Sequence, residues 1–225
     1  MTTADTPGAD GRSRAAPRLR AALRRRFGID PRALAAFRVA LGVVLLVGLA
    51  LRARNLVAFY TDAGVLPRAA LAEAYPLAAR FSLHAVSGEA RAVALLFLVA
   101  AVAAGALAAG YRTRVATVVS LVFLASLQAR NPFVLNAGDT LLLQLLGAGL
   151  LCPLGARWSV DAVRRRGPSE PAGSSAPGRV AGPAAALPLT LVVVVYVSNA
   201  VVKLRGTTWP AGEAVGRVFR LTYLH

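Results

Sequence analysis

Apolar residues in this chain come in long, nearly unbroken runs separated by short polar stretches, not at the three-to-four-residue spacing of a surface helix. A helix that crosses a bilayer needs about 20 mostly apolar residues, and runs of this kind supply them. Five can be marked, at about 34–51, 92–110, 115–129, 139–154 and 185–202. The pattern predicts an all-α integral membrane protein, a bundle of about five transmembrane helices. The third run is short for a bilayer, so its ends are expected to extend through Arg130-Asn131-Pro132 or to rely on snorkelling arginines.

The polar stretches add detail. Asp30-Pro31 suits a helix start, with Asp as cap and Pro in the first turn. Residues 52–90 carry Phe59, Tyr60, Tyr75 and Phe81 but are broken by Pro67 and Pro76, and no run there can span. One or two short helices capping the bundle from the membrane face are expected. Ala101, Gly105 and Ala109 form a small-xxx-small face that would let a second helix approach closely. Tyr111-Arg112-Thr113-Arg114 reads as a tight turn, and Trp158 sits where an interfacial tryptophan belongs. The chain then divides into a basic tail (1–31), four spans (32–155), a Gly/Pro/Ser-rich linker expected to be disordered (156–183), and a fifth span with a polar end (184–225). In the tail, Leu19, Leu23 and Phe27 recur every fourth residue among arginines, which fits an interfacial amphipathic helix. A disordered basic tail fits the composition equally well.

Composition supports the membrane reading. Of 225 residues, 56% are hydrophobic, and mean hydropathy is +0.58, too apolar for an ordinary soluble domain. The net charge of +16 could point to nucleic acid, yet the basic residues do not share one patch with stacking aromatics; they sit at the ends of the apolar runs. A nucleic-acid partner is therefore not expected; the lipid bilayer is. With the N-terminus inside, inner segments hold 15 basic residues and outer segments 10. That predicts a multi-pass protein of the cell membrane with a cytoplasmic N-terminus and an extracytoplasmic C-terminus. The 52–90 loop, Asp139 and Lys203 then all fall on the outer side.

Candidate chemistry is sparse. There is no HExxH, no Cys/His cluster at metal spacing, no GxSxG elbow and no glycine-rich phosphate loop, so no metal, hydrolase or nucleotide site is indicated. Cys152 is the single cysteine, so the chain holds no internal disulfide. His84, in the loop, reads as a hydrogen-bonded structural residue. Arg38 stands one turn inside the first run, where it either snorkels to the inner interface or pairs with an acid in the bundle. Asp139 either meets the positive end of its own helix dipole or partners a cation on a neighbouring helix. Gln144 lies deeper in the same run. Lys203 is the oddity: it is the only lysine beside 25 arginines, at the end of a run of Val, Leu and Ala. Tyr196, Asn199 and Lys203 are spaced i, i+3, i+7 and form one polar stripe, and an ionisable residue at membrane depth is by default a functional candidate.

Several local strings share one order. Phe37-Arg38 opens the first run, Gly110-Tyr111-Arg112 closes the second, and Arg157-Trp158-Ser159-Val160-Asp161 follows the fourth. Val195-Tyr196, Val202-Lys203-Leu204 and Trp209 mark the fifth, and FYTDAGVLPR occupies 59–68. Together they resemble the membrane part of the vitamin K-dependent gamma-carboxylase family, and more closely its microbial relatives with the "horizontally transferred transmembrane" (HTTM) domain, over about 33–220. The resemblance implies a lyase-type carboxylation driven by oxidation of a reduced quinone, vitamin K or menaquinol. It gives Lys203 the role of a base toward the quinol, since Lys203-Leu204 matches a K-L-x-x-x-W-like stretch with Trp209 one residue late. Burial can bring a lysine down from about 10.4 toward neutrality, as such a base requires. Asn199, Tyr196, Asp139 and Trp209 are the candidates for holding the quinol, although Asn199 reads first as a hydrogen bond to a neighbouring helix. The animal enzymes carry a histidine near the start of the fourth span, where this chain has Asn136-Ala137-Gly138-Asp139. The family continues into further helices and a large extramembrane domain, so a short or truncated member is expected, and no motif identifies a protein or peptide substrate. A non-catalytic membrane scaffold or partner subunit, with Lys203 snorkelling, is the reading from a different class. A small transporter finds no repeated half or broken-helix pair to support it.

Overall fold

A computed structural model of the chain describes residues 28–165, 180 and 183–220. The amphipathic stretch at Leu19, Leu23 and Phe27 and most of the Gly/Pro/Ser-rich linker lie outside the described residues. Among those described, all regular structure is helical apart from one antiparallel bridge between Ile29 and Val180. The chain forms two units, Met1–Ala186 and Leu187–His225.

Four helices build the first unit: α1 (Pro31–Ala53), α5 (Ala90–Ala109), α6 (Thr113–Arg130) and α7 (Ala137–Leu150). Three short helices, α2 (Leu56–Tyr60), α3 (Arg68–Ala74) and α4 (Pro76–Phe81), fill the connection from α1 to α5, with a single 3-10 turn at Leu83–Ala85. α8 (Val160–Arg165) follows α7. The expected start of α1 is present: Pro31 is in the first turn and the Asp30 carboxylate accepts from the Arg32 N–H at 2.8 Å.

The core is Leu41 and Leu45 of α1 against Ala104 and Leu107 of α5, Ala116 and Leu124 of α6, and Leu146 of α7. Apolar residues on the outer faces, such as Val43, Val44, Val47, Leu95, Leu98 and Val102, are 48–65% exposed. α1 and α5 pack most closely where a Cβ on Gly42 would stand 2.7 Å from the Ala108 Cβ and 2.9 Å from the Ala104 carbonyl. The small-residue face is therefore Ala104 and Ala108 opposite Gly42. The expected Ala101–Gly105–Ala109 face is turned away: Gly105 has open space around it and Ala109 is exposed.

Among the described residues, three helices are long and apolar enough to cross a membrane: Pro31–Ala53, Ala90–Ala109 and Ala186–Arg205. α6 has 18 residues and α7 only 14, about 27 and 21 Å of helix. Residues 156–165, expected as the start of the linker, are instead folded within the first unit, with α8 at Val160–Arg165.

The second unit contains most of α9 (Pro183–Arg205) and then α10 (Ala214–Phe219). Tyr196, Val197, Val202 and Leu204 are 55–72% exposed on α9.

Candidate functional site

At one end of the first unit, Arg38 is fully buried yet does neither thing expected of it. It does not snorkel, and among the described residues it forms no ion pair. Nη1 donates to the carbonyls of Leu154 (3.1 Å) and Arg157 (3.2 Å), and Nη2 to those of Trp158 (2.6 Å) and Ala108 (3.3 Å). Beside it, the Asp161 carboxylate accepts from the N–H groups of Arg112 and Thr113 and from the Thr113 hydroxyl, all at 2.7–2.8 Å. Burial raises the Asp161 pKa, but these hydrogen bonds outweigh it and hold the carboxyl below the usual range. Gly110 (φ 71°) closes the knot, since a Cβ there would meet Ser159 at 2.3 Å and the Arg38 guanidinium at 2.7 Å. Phe37-Arg38, Gly110-Tyr111-Arg112 and Arg157-to-Asp161, far apart in sequence, thus meet in one place. Their chemistry is that of a latch, because the Arg38 guanidinium and the Asp161 carboxylate both find hydrogen-bond partners within the chain.

The other end differs. Asp139, at the third position of α7, takes both expected roles. Its carboxylate forms a capping box with Asn136, accepting from the Asn136 N–H at 3.1 Å, and also accepts a hydrogen bond from Arg52 of α1. Gln128 of α6 donates to the Asp139 carbonyl at 2.9 Å. Tyr60, 1% exposed and edge-on to Phe97 at 5.4 Å, lies close enough to feel the pair. Burial raises its phenol above 10, and the Arg52 guanidinium opposes that rise. Sequence reasoning placed Arg52 only as an interfacial charge and Tyr60 only as a loop aromatic. The pairing spans 87 residues, and no local spacing encodes it.

This polar end opens onto a groove of about 620 Å³ between α1, α2 and α7. Val43, Val47, Leu51 and Phe59 form its apolar flank, and Arg52, Tyr60, Asn136 and Asp139 its polar end. A molecule with an oxygen-bearing head and an apolar tail matches that division.

A cap of loop residues sits over the same end. Arg130, fully buried, donates to the Leu66 carbonyl at 2.9 Å and stands 3.8 Å from Asp62, so it does not snorkel. Asp62 accepts from the Arg68 N–H at 2.9 Å and from its guanidinium at 2.8 Å, and these bonds keep its carboxyl below the usual range. The 59–68 string therefore folds around Arg130. His84 is fully buried, with Nδ1 2.7 Å from the Ser126 hydroxyl and its ring edge-on to Phe97 and Phe123. Burial and nearby Arg130 push it down to about 4.

The remaining predicted site residues lie in the second unit. Lys203 is exposed, with its amine 4.2 Å from the Trp209 ring centre, a cation–π contact. Asn199 is exposed and donates to the Val195 carbonyl of its own helix at 2.9 Å, and Tyr196 is 72% exposed. The stripe is thus real as a face of α9, and within its own unit nothing buries the amine. Among the described residues, no three His, Cys, Asp or Glu side chains gather as a metal-holding group. No family model, curated protein or solved structure matches this chain.

Proposed function

We propose that the chain is a multi-pass membrane protein of the HTTM and gamma-carboxylase-like type that binds a lipid-soluble quinol and oxidises it with molecular oxygen, which takes up the electrons, to drive carboxylation. The observation that carries the reading is the groove at Arg52 and Asp139, apolar along the membrane-facing side of α1 and polar at its end. In the proposal α1, α5, α6, α7 and α9 cross the bilayer, α7 as a short crossing. What supports a short crossing is that α7 begins beside Arg52 near the end of α1, while its last turn shares a cavity wall with Thr113 at the start of α6. The cell membrane, an inner N-terminus and an outer C-terminus follow from the arginine count.

Bound in the groove, a reduced naphthoquinone of the vitamin K or menaquinol class would supply the reducing chemistry. Arg52 would hold an oxygen of its head and favour that oxygen's anionic form, while Asp139 keeps Arg52 in position. Tyr60, kept neutral by burial, remains a donor to the same oxygen. Lys203 keeps the base role that the family stretch gives it. To act so, its amine must lose water, which its contact with Trp209 alone does not bring about. That exposure is the observation favouring the second reading, a non-catalytic scaffold or partner subunit.

Incubating purified protein with reduced naphthoquinone and oxygen tests both. Quinone epoxide formed by wild type, lost in Lys203→Ala and retained in Arg205→Ala, supports the enzyme. Absence of turnover in wild type sinks it in favour of the scaffold.

A further inference from the structure

A second cavity, of about 750 Å³, lies at the latch end, between the start of α6 and the chain leaving α7. Arg112, Arg114, Arg164 and Arg165 line it, against Asp161 as its one carboxylate. Asp161 is already committed to three hydrogen bonds from Arg112 and Thr113. Among the described residues, none of the four arginines makes an ion pair. Two are held in place: Arg165 donates to the carbonyls of Asp161 (3.0 Å) and Gly155, and Arg164 stacks over the Tyr111 ring at 5.2 Å. Arg112 and Arg114 are exposed on the opposite wall. Four guanidinium groups are thus gathered around a cavity against a single carboxylate, which leaves its lining strongly positive.

The cavity also has an apolar side. Val115 forms part of its wall, and from there Val118 and Val122 continue down the outer face of α6, each 45–57% exposed. Leu150, the last residue of α7, lines the cavity, and Leu151, next in the chain, is 63% exposed. Trp158, 62% exposed in the adjoining loop, marks an interfacial level. Basic groups at the end of a helix pair, above a strip of apolar side chains, suit a phosphate head with acyl chains beneath it.

We propose that this cavity binds the phosphate of an anionic phospholipid, with Arg112, Arg114 and Arg164 contacting the phosphate and the α6 strip taking an acyl chain. The proposal rests on the membrane placement of α6 and α7, and not on any quinol chemistry. Its source of phosphate is the lipid, as opposed to a free anion, because the apolar strip runs on from the basic wall.

Native mass spectrometry of the full chain, released from micelles containing phosphatidylglycerol and phosphatidylcholine in equal amounts, reads the preference directly. Phosphatidylglycerol adducts should predominate. Arg112→Gln/Arg114→Gln/Arg164→Gln should weaken their retention about tenfold or more. Arg54→Gln/Arg80→Gln/Arg91→Gln, which removes the same charge elsewhere, should change it less than twofold. The single variant Arg114→Gln, at an exposed side chain, guards against misfolding of the triple variant and should weaken retention about threefold with an unchanged melting temperature. Equal retention of the two lipids, or equal loss in both triple variants, overturns the proposal. Arginine-dependent binding of inorganic phosphate without phosphatidylglycerol preference overturns the lipid source. Flotation with phosphatidylcholine vesicles reads the membrane placement separately. Protein that floats but shows no preference refutes the cavity alone, and protein that does not float refutes both.

Discussion

The two ends of the four-helix unit hold their arginines by different means. Arg38 is satisfied by four main-chain carbonyls, whereas Arg52 is held by the Asp139 carboxylate and Arg130 by the Leu66 carbonyl with Asp62 at 3.8 Å. A carbonyl cannot titrate and cannot be drawn away by a ligand, so the Arg38 end is a fixed joint. A carboxylate can exchange its partner for a ligand oxygen, and Asp139 and Arg52 border an open groove. The same residue type therefore serves as a latch at one end and as the exchangeable wall of an open groove at the other. What surrounds the guanidinium decides which.

The comparison breaks most visibly at Arg38. Arg38→Met keeps the length of the side chain but leaves the carbonyls of Leu154, Arg157, Trp158 and Ala108 without their donor. Each stranded buried acceptor costs about 1–3 kcal/mol, so a loss of about 4 kcal/mol is expected after some relaxation. Thermal unfolding in detergent should show it, together with proteolytic sensitivity in 153–165. An unchanged melting temperature would mean that the latch holds nothing.

Acid should separate the ends next. His84, beside Arg130, titrates at about 4 when folded against about 6.5 when unfolded. Between those values the unfolded chain binds more protons, so stability falls as pH drops from about 6.5 and levels off below 4. The gap amounts to about 3 kcal/mol. At the latch end the Asp161 carboxyl lies below its usual range, so its contribution is lost only under more acid conditions. Melting curves from pH 7 to pH 4.5 should slope in wild type and flatten in His84→Gln. The same slope in the variant would assign the effect to another group.

How much of this was legible in the sequence depends on how local each signal is. The apolar runs that became α1, α5 and α9 needed only composition, and the Asp30-Pro31 cap only two adjacent residues. The small-residue face was legible in kind but not in position. Ala101, Gly105 and Ala109 have the right spacing, yet the partner's Gly42 chooses Ala104 and Ala108, which no single-helix pattern contains. Neither alternative for Arg38, snorkelling or an acidic partner, included main-chain carbonyls, because carbonyl partners leave no trace in side-chain identity. The folded 156–165 segment was read as linker for a related reason: what orders it is Arg38, more than a hundred residues away. Of the proposed site, Asp139 was legible as an acid at a helix start, while its partner Arg52 was not.

Removing the binding pair is a milder test of the site end. Asp139→Asn keeps the capping hydrogen bonds to Asn136 within reach and removes the charge that positions Arg52, for an expected stability loss of about 2 kcal/mol. Naphthoquinone affinity, read by quenching of intrinsic fluorescence, should fall along with it. A variant that loses stability while keeping full affinity would move the quinol out of this groove.

The smallest effect belongs to Arg68. Its pairing with Asp62 at 2.8 Å looks as good as any in the molecule, but both side chains are about 40% exposed, and water competes for both. Arg68→Ala should cost less than about 1 kcal/mol, and less again in high salt. The informative quantity is what happens to Arg130. If Asp62 matters mainly as a counter-charge to that buried guanidinium, Asp62→Asn should cost clearly more than Arg68→Ala. Equal, small losses would mean that the Leu66 carbonyl alone holds Arg130, and the cap end would then resemble the latch end more than its carboxylates suggest.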